Sequence, residues 1–337
     1  MTTQFFLFGK QHFTQTGYIK HLKQYADPVQ NAAVVDGDGA DGIDLSGKTI
    51  LVTGANQGVG KEIAIYAASK KANVYMLCRN EERAEVARKD IIELTNNQNV
   101  NVLLGDVSEP SHIKRVVSEF QSKESQLDCL VCSAGALLNE RKVNSEGQEI
   151  TFMAHLVSGC YQLTKLLLPS LKKASEASGG EARVIFLASG GMYNTKFPIW
   201  EQAASTGKYE SSYDGNMAYA YAKRGQVLLA ERMTKEYPEI AFVSCHPGWT
   251  KTAGVDAAYG SSSKILEPMR TTWEGSEGIC WLMATPKEKV EGGAFYLDRT
   301  PQRKHIAGAF MTDGSFTKNT EQEVDEMMKN LEQTVGV

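Results

Sequence analysis

From about residue 49 onward the apolar positions switch repeatedly between two periods. Short β-branched runs at 49–53, 74–78, 100–104, 127–132, 183–188 and 241–245 read as strands. Between them, 59–69, 81–95, 111–122 and 152–171 carry apolar residues at helical spacing. Strands alternating with helices predict an α/β fold: a doubly wound parallel sheet covered on both faces, with its ligand crevice beyond the carboxyl ends of the strands. The last third is less regular. Residues 292–297 fit a closing strand, and 321–334 place Val324, Met327, Met328 and Leu331 on one face of a terminal helix. The expected division is an extension with linker at 1–46, one main domain at 47–315 and a C-terminal helix at 316–337.

The extension has its own pattern. Phe13, Tyr18, Leu22 and Tyr25 make an apolar stripe beside Lys20, His21 and Lys23. It reads either as a helix packed on the main domain or as a membrane-surface helix, which leaves peripheral membrane contact through residues 1–25 open. The Gly/Asp-rich stretch 36–42 is a linker by composition; its spacing differs from a calcium loop and it lacks the closing glutamate.

Composition narrows the class without setting the chemistry. The chain has 337 residues, 42% hydrophobic and 23% charged, with a net charge of -4. That is an ordinary globular profile, with no basic excess pointing to nucleic acid. Six scattered cysteines read as reduced intracellular thiols. Cys129 and Cys132 form a CxxC inside an apolar strand run and not at a helix start, so neither redox nor metal use is expected. No apolar run reaches the ~20 residues of a membrane span, and Phe5-Phe6-Leu7-Phe8 is too short for a signal-peptide core. A cytoplasmic location, in solution or on a membrane face, is the expectation. A homo-oligomer is left open.

The chemistry sits at the predicted strand ends. The first strand runs into Thr53-Gly54-Ala55-Asn56-Gln57-Gly58-Val59-Gly60. Glycines there permit a tight turn and close approach of phosphates, and the following helix offers its free N–H groups to a pyrophosphate. Arg79, after the second strand, stands where an acidic residue would bind a ribose 2′-hydroxyl. It reads either as a partner for a 2′-phosphate, favouring NADP(H) over NAD(H), or as a solvated arginine at a helix start. Asp106 and Val107 end the third strand, with adenine contact or helix capping as the two readings. Ser133, Ala134 and Gly135 end the fourth with small residues that admit a ribose.

Ser189 ends the fifth strand, and Tyr219 and Lys223 share one face of the next long helix. A free tyrosine has a pKa near ~10, too high for proton transfer at neutral pH. A lysine cation roughly 5 Å away, at an effective dielectric of about 20, stabilises the phenolate by about 3 kcal/mol. That expectation lowers the phenol by about two pKa units.

In this order the residues resemble the short-chain dehydrogenase/reductase family over about residues 46–300. Thr53–Gly60 is similar to its TGxxxGxG turn, 132–135 to its NNAG segment, and Tyr219/Lys223 to its YxxxK pair. Ser189 matches its catalytic serine. Residues 246–252 resemble its proline-glycine segment, which implies cofactor contacts from Pro247, Gly248 and Thr252. The resemblance implies a Rossmann-like sheet, NADP(H), and hydride exchange with a small carbonyl or alcohol substrate.

Two features depart from the family. Its catalytic asparagine, which holds a water linking the lysine to solvent, has no counterpart in 152–158. His155 is the nearest residue, packed or functional, in a segment one residue longer than usual. The interval from Ser189 to Tyr219 is also long, and its Tyr193, Phe197, Trp200, Tyr209 and Tyr213 read either as a lid for an apolar substrate or as a self-packed surface loop. A dinucleotide-binding sensor or scaffold with little turnover is the alternative to an enzyme.

Overall fold

The expected strands assemble with their carboxyl ends along one edge. A computed structural model describes residues 3–25, 43–305 and 315–336, so the linker at 36–42 lies outside the described residues. In chain order its main elements are α1 Thr3–His12, α2 Gln15–Leu22, β1 Thr49–Thr53, α3 Gly58–Ser69, β2 Asn73–Cys78, α4 Glu81–Thr95, β3 Val100–Leu104, α5 Pro110–Lys123 and β4 Cys129–Cys132. A continuous helical stretch follows, α6 Ile150–Phe152, a π-helix Met153–Gln162 and α7 Leu163–Ser178. Then come β5 Arg183–Leu187, α8 Trp200–Ala203, α9 Gly215–Glu236, β6 Ala241–His246, α10 Ala253–Tyr259, α11 Thr272–Ala284, β7 Phe295–Leu297, β8 Thr300–Gln302 and α12 Glu321–Val335.

The sheet order is β3-β2-β1-β4-β5-β6-β7-β8, parallel except for the final hairpin. The order reverses between β1 and β4, which opens a crevice at their carboxyl ends. β1, β4 and β5 are buried at every position, as a sheet covered on both faces requires. One core packs α5, α7, α9 and α12 on one face, and a second packs α3, α4 and α11 on the other. α12 is not an appendage, because Met327, Leu331 and Val335 enter the first core.

The predicted N-terminal stripe is not one helix face: Phe13 lies in the turn between α1 and α2, Tyr18 and Leu22 lie on α2, and Tyr25 follows it. Phe13 is 1% exposed and Tyr18 4%, which favours the packed-helix reading. A buried charge cluster holds the extension down. Arg270 forms an ion pair with Asp298, donates from Nη2 to His12 O at 2.8 Å and from Nε to Phe13 O at 3.1 Å. His21 Nδ1 meets the same Asp298 carboxylate at 2.6 Å. Burial opposes ionisation of Asp298, yet Arg270 and His21 outweigh it and hold the carboxyl below its usual range.

Asp298 has φ 57°, a left-handed conformation that asparagine tolerates, so Asp298→Asn removes charge with little backbone penalty. It leaves the Arg270 guanidinium buried and unpaired, and a loss of about 3–5 kcal/mol in urea unfolding is expected. An unchanged midpoint would refute the clamp.

Candidate active site

The glycine turn is built as the spacing demands. Gly54 has φ +69°, and a Cβ there would lie 2.9 Å from Ala134 Cα. A Cβ on Gly60 would meet Gly54 O at 2.5 Å. α3 starts after Gln57 with no side-chain cap, so its positive end opens toward the cavity lined by Asn56, Gln57, Gly58 and Val59. Thr53 plays a different part from its neighbours. Its Oγ1 accepts from Ser133 N at 3.0 Å and Ala134 N at 2.9 Å, while Ser133 Oγ donates to Thr53 O. Thr53 thus pins the ends of β1 and β4 together from behind and does not line the cavity.

That cavity has a volume of about 1030 Å³, at the upper end of small-molecule sites. Gly54, Gly60, Arg79, Asp106, Val107, Ser133, Ala134 and Gly135 line one part of it. Pro247, Gly248, Thr252, Ser189, Tyr219, Lys223 and His155 also line it, and a Cβ on Gly58 would lie 3.5 Å from the Thr252 methyl. The Arg79 side chain is 74% exposed, with its guanidinium 3.8 Å from the Asp106 carboxylate. Asp106 Oδ1 accepts from the Ser108 amide and hydroxyl at 2.9 and 2.7 Å, which fixes the turn after β3. Thr252 also caps α10 through Val255 N.

Ser189 follows β5 in extended backbone, its Oγ accepting from Gly191 N at 3.2 Å and hydrogen-bonded to the Tyr219 phenol. Asp214 caps α9 and sets the helix phase that presents Tyr219 and Lys223 one turn apart. Lys223 Nζ donates to Leu187 O at 2.5 Å and lies 5.3 Å from the centre of the Tyr219 ring. The electrostatic outcome differs from the expectation of a lowered phenol. Burial lifts Tyr219 to about 12, and the Ser189 hydrogen bond offsets only part of this. Burial also lowers Lys223 to about 8, against opposing influences from Cys160, Cys245 and Cys132. Desolvation is the largest cause for both groups.

His155 stands on the π-helix Met153–Gln162, whose hydrogen bonds close i→i+5 turns. Its Nε2 lies 3.0 Å from Ala136 O, which as a pure acceptor requires the proton on that nitrogen. Nδ1 has no partner among the described residues. Burial, then the Lys223 charge, hold the ring neutral, edge-on to Tyr219 with centroids 5.2 Å apart. A Cβ on Gly135 would fall 1.7 Å from the His155 ring, so glycine there makes room for the histidine.

Sequence reasoning missed several lining residues. His246 ends β6 with both ring nitrogens unpartnered among the described residues, and burial followed by Arg270 pushes it down to about 3. Phe6, Trp249, Tyr259 and Leu266 line the end of the cavity away from Arg79. The 193–213 aromatics do not. Tyr193 packs on Phe295 and donates to Arg303 O, and Phe197 and Trp200 pack on Phe152. Tyr213 bonds Leu138 O and Glu149. The insertion is therefore neither a lid nor a self-packed loop: these four rings found partners on the body of the domain.

With this fold and this Ser-Tyr-Lys geometry, residues 48–200 match the short chain dehydrogenase family model. The chain belongs to the short-chain dehydrogenase/reductase family. It is 32% identical over 328 residues to human dehydrogenase/reductase SDR family member 12, covering 97% of this chain and 96% of the relative. Mouse retinol dehydrogenase 11 is 29% identical over 80% of this chain and 79% of its own length. Among solved structures, a short chain dehydrogenase of Shigella flexneri complexed with NADP superposes with a TM-score of 0.58 at 21% identity, covering 76% of this chain and 98% of that one. An Escherichia coli short chain dehydrogenase complexed with NADPH gives the same figures. These structures share the fold.

Gly135→Ala should collide with the His155 ring and lower stability, and adding His155→Ala should recover most of the loss. A double-mutant cycle by chemical denaturation is expected to give a coupling of about 1–3 kcal/mol. Additive single effects would place the two residues in separate environments.

Proposed function

We propose that this protein is an NADP(H)-dependent oxidoreductase that exchanges hydride with a neutral, apolar carbonyl or alcohol substrate. The observation that carries the reading is the convergence of Ser189, Tyr219 and Lys223 on one cavity that also holds an uncapped helix start and Arg79. The glycine turn suits a pyrophosphate: glycine at 54 and 60 lets it pack against Ala134 and onto itself, where a Cβ would collide, and it leads into the uncapped start of α3. The exposed Arg79 guanidinium suits a 2′-phosphate, which supports NADP(H) over NAD(H). Thr53 holds the cradle rigid.

NADP(H), when bound, supplies or accepts the hydride. The residues of the chain move the proton and hold the oxygen. For reduction, Tyr219 donates its phenolic proton to the carbonyl oxygen and Ser189 hydrogen-bonds that oxygen. Lys223 then stabilises the phenolate and offers its ammonium to the nicotinamide ribose. His155, held neutral, packs the Tyr219 ring in place. The apolar preference rests on charge. Among the described residues, Lys223 is the buried cation that lines the catalytic end, while Arg270 lies beneath Gly248 paired with Asp298; His155 and His246 are held neutral, and Asp214 is used as a helix cap. Among the described residues the lining there offers an anionic substrate no cation besides Lys223.

Tyr219→Phe should lower carbonyl reduction with NADPH by about 10²–10⁴-fold while NADPH affinity stays within several-fold. Turnover near the wild-type rate would overturn the assignment. If the unaltered protein binds NADPH but reduces no carbonyl in a broad screen, the chain is a cofactor-binding sensor instead. The pH profile follows from Lys223. Tyr219 keeps its proton up to about 12, whereas Lys223 loses its charge as pH rises through about 8. Reductive kcat/KM is therefore expected to be flat at neutral pH and to fall above about 8. Arg79→Ala should weaken NADPH by about tenfold or more and leave NADH unchanged, measured by fluorescence titration.

A further inference from the structure

The N-terminal extension reaches the catalytic end of the cavity. Phe13 sits edge-on to His246 with centroids 4.4 Å apart, and its carbonyl accepts from Trp249 N at 2.7 Å. A Cβ on Gly190, next to Ser189, would lie 2.7 Å from the Phe13 ring. The extension is thus packed against both the serine loop and the proline-glycine loop.

α1 continues this contact into the cavity itself. Gly9 lies flush on Trp249, where a Cβ would come within 2.4 Å of the indole. That close approach brings Phe6 to 6.0 Å from the Trp249 ring, with Lys10 Nζ 5.4 Å from the Phe6 centroid. Lys10 also donates to Glu267 O at 2.6 Å, tying α1 to the segment that carries Leu266. Phe6 is partly buried against the Phe13–Trp249 cluster and lines the cavity with Trp249, Tyr259 and Leu266. Its ring forms surface of the cavity and is not part of the closed core.

We propose that Phe6 is a specificity-determining residue: α1 forms one wall of the substrate compartment, and the Phe6 ring sets the size of the apolar carbonyl compound it admits. The proposal rests on the carbonyl-reductase reading above. It assigns the role of substrate wall to the extension, which reaches the site only through tertiary packing. Gly9 fixes how close the wall stands, and Lys10 and the Arg270–Asp298 clamp hold it in place.

The test uses the full chain, NADPH, and three neutral aldehydes of increasing bulk: butanal, benzaldehyde and anthracene carbaldehyde. Phe6→Ala should raise the ratio of kcat/KM for anthracene carbaldehyde over butanal by about tenfold, and Phe6→Trp should lower it by a similar factor. NADPH affinity should stay within about twofold in both variants, since the Phe6 ring packs with the Phe13–Trp249 cluster. A ratio unmoved in both variants, with butanal still reduced, overturns the proposal. Binding of the neutral fluorophore Nile red to the NADPH-loaded protein reads the same wall without turnover. Phe6→Ala should tighten it by about tenfold, and equal affinities overturn the wall even where no aldehyde is reduced. Absence of aldehyde reduction by the unaltered protein, with a changed Nile red affinity, defeats the reductase reading and leaves the wall standing.

Discussion

A parallel sheet buried on both faces must return every connection across its surface, and this brings all the strand starts to one edge and all the strand ends to the other. Here the reversal between β1 and β4 is where the crossovers diverge, and the Thr53 hydroxyl bridges the two strand ends at that point. Everything in the site depends on that junction. The glycine turn leaves β1, the small residues leave β4, and Ser189 leaves β5, so three segments distant in sequence face one cavity. Removing water from that cavity then sets the electrostatics.

Burial dominates the proton-transfer groups. Tyr219 rises and Lys223 falls because each charged form loses its hydration, and the Ser189 hydrogen bond on one and the neighbouring cysteines on the other recover only part of that cost. The result is a neutral tyrosine ready to donate beside a lysine poised to lose its charge near working pH. His155 belongs to the same environment. It stands on the π-helix, its ring occupies the space left free by Gly135, and it stays uncharged and edge-on to the tyrosine.

The extension completes this enclosure. Its helices are short, eight and ten residues, too short to persist alone in water. Their stability comes from Phe13, Tyr18 and the Arg270–Asp298 pair, all buried against the main domain. Because that anchoring lies beside His246 and Trp249, an extension outside the sheet contributes surface to the cavity.

Much of this was legible in the sequence. The short β-branched runs located the first six sheet strands within a few residues, and the helix at 81–95 was placed to the residue. Local chemistry identified the turn 53–60, Ser189 and the Tyr219/Lys223 pair, because each depends on short-range spacing or on position at a strand end. The closing strand read at 292–297 contains β7, but the irregular last third hid its short partner β8 and α11, whose burial comes from neighbours far along the chain. Three features were decided by tertiary structure alone. The sign of the Tyr219 shift depends on how completely the pocket excludes water, which no spacing encodes. The aromatics of 193–213 packed inward because Phe152 and Phe295 were available to receive them. Phe6, from the other end of the chain, came to line the cavity in their stead. The sequence by itself determined which groups meet at the strand ends, since strand direction and helical phase are local properties. Only the folded structure decided what encloses them, since enclosure depends on long-range contacts and the desolvation those contacts impose.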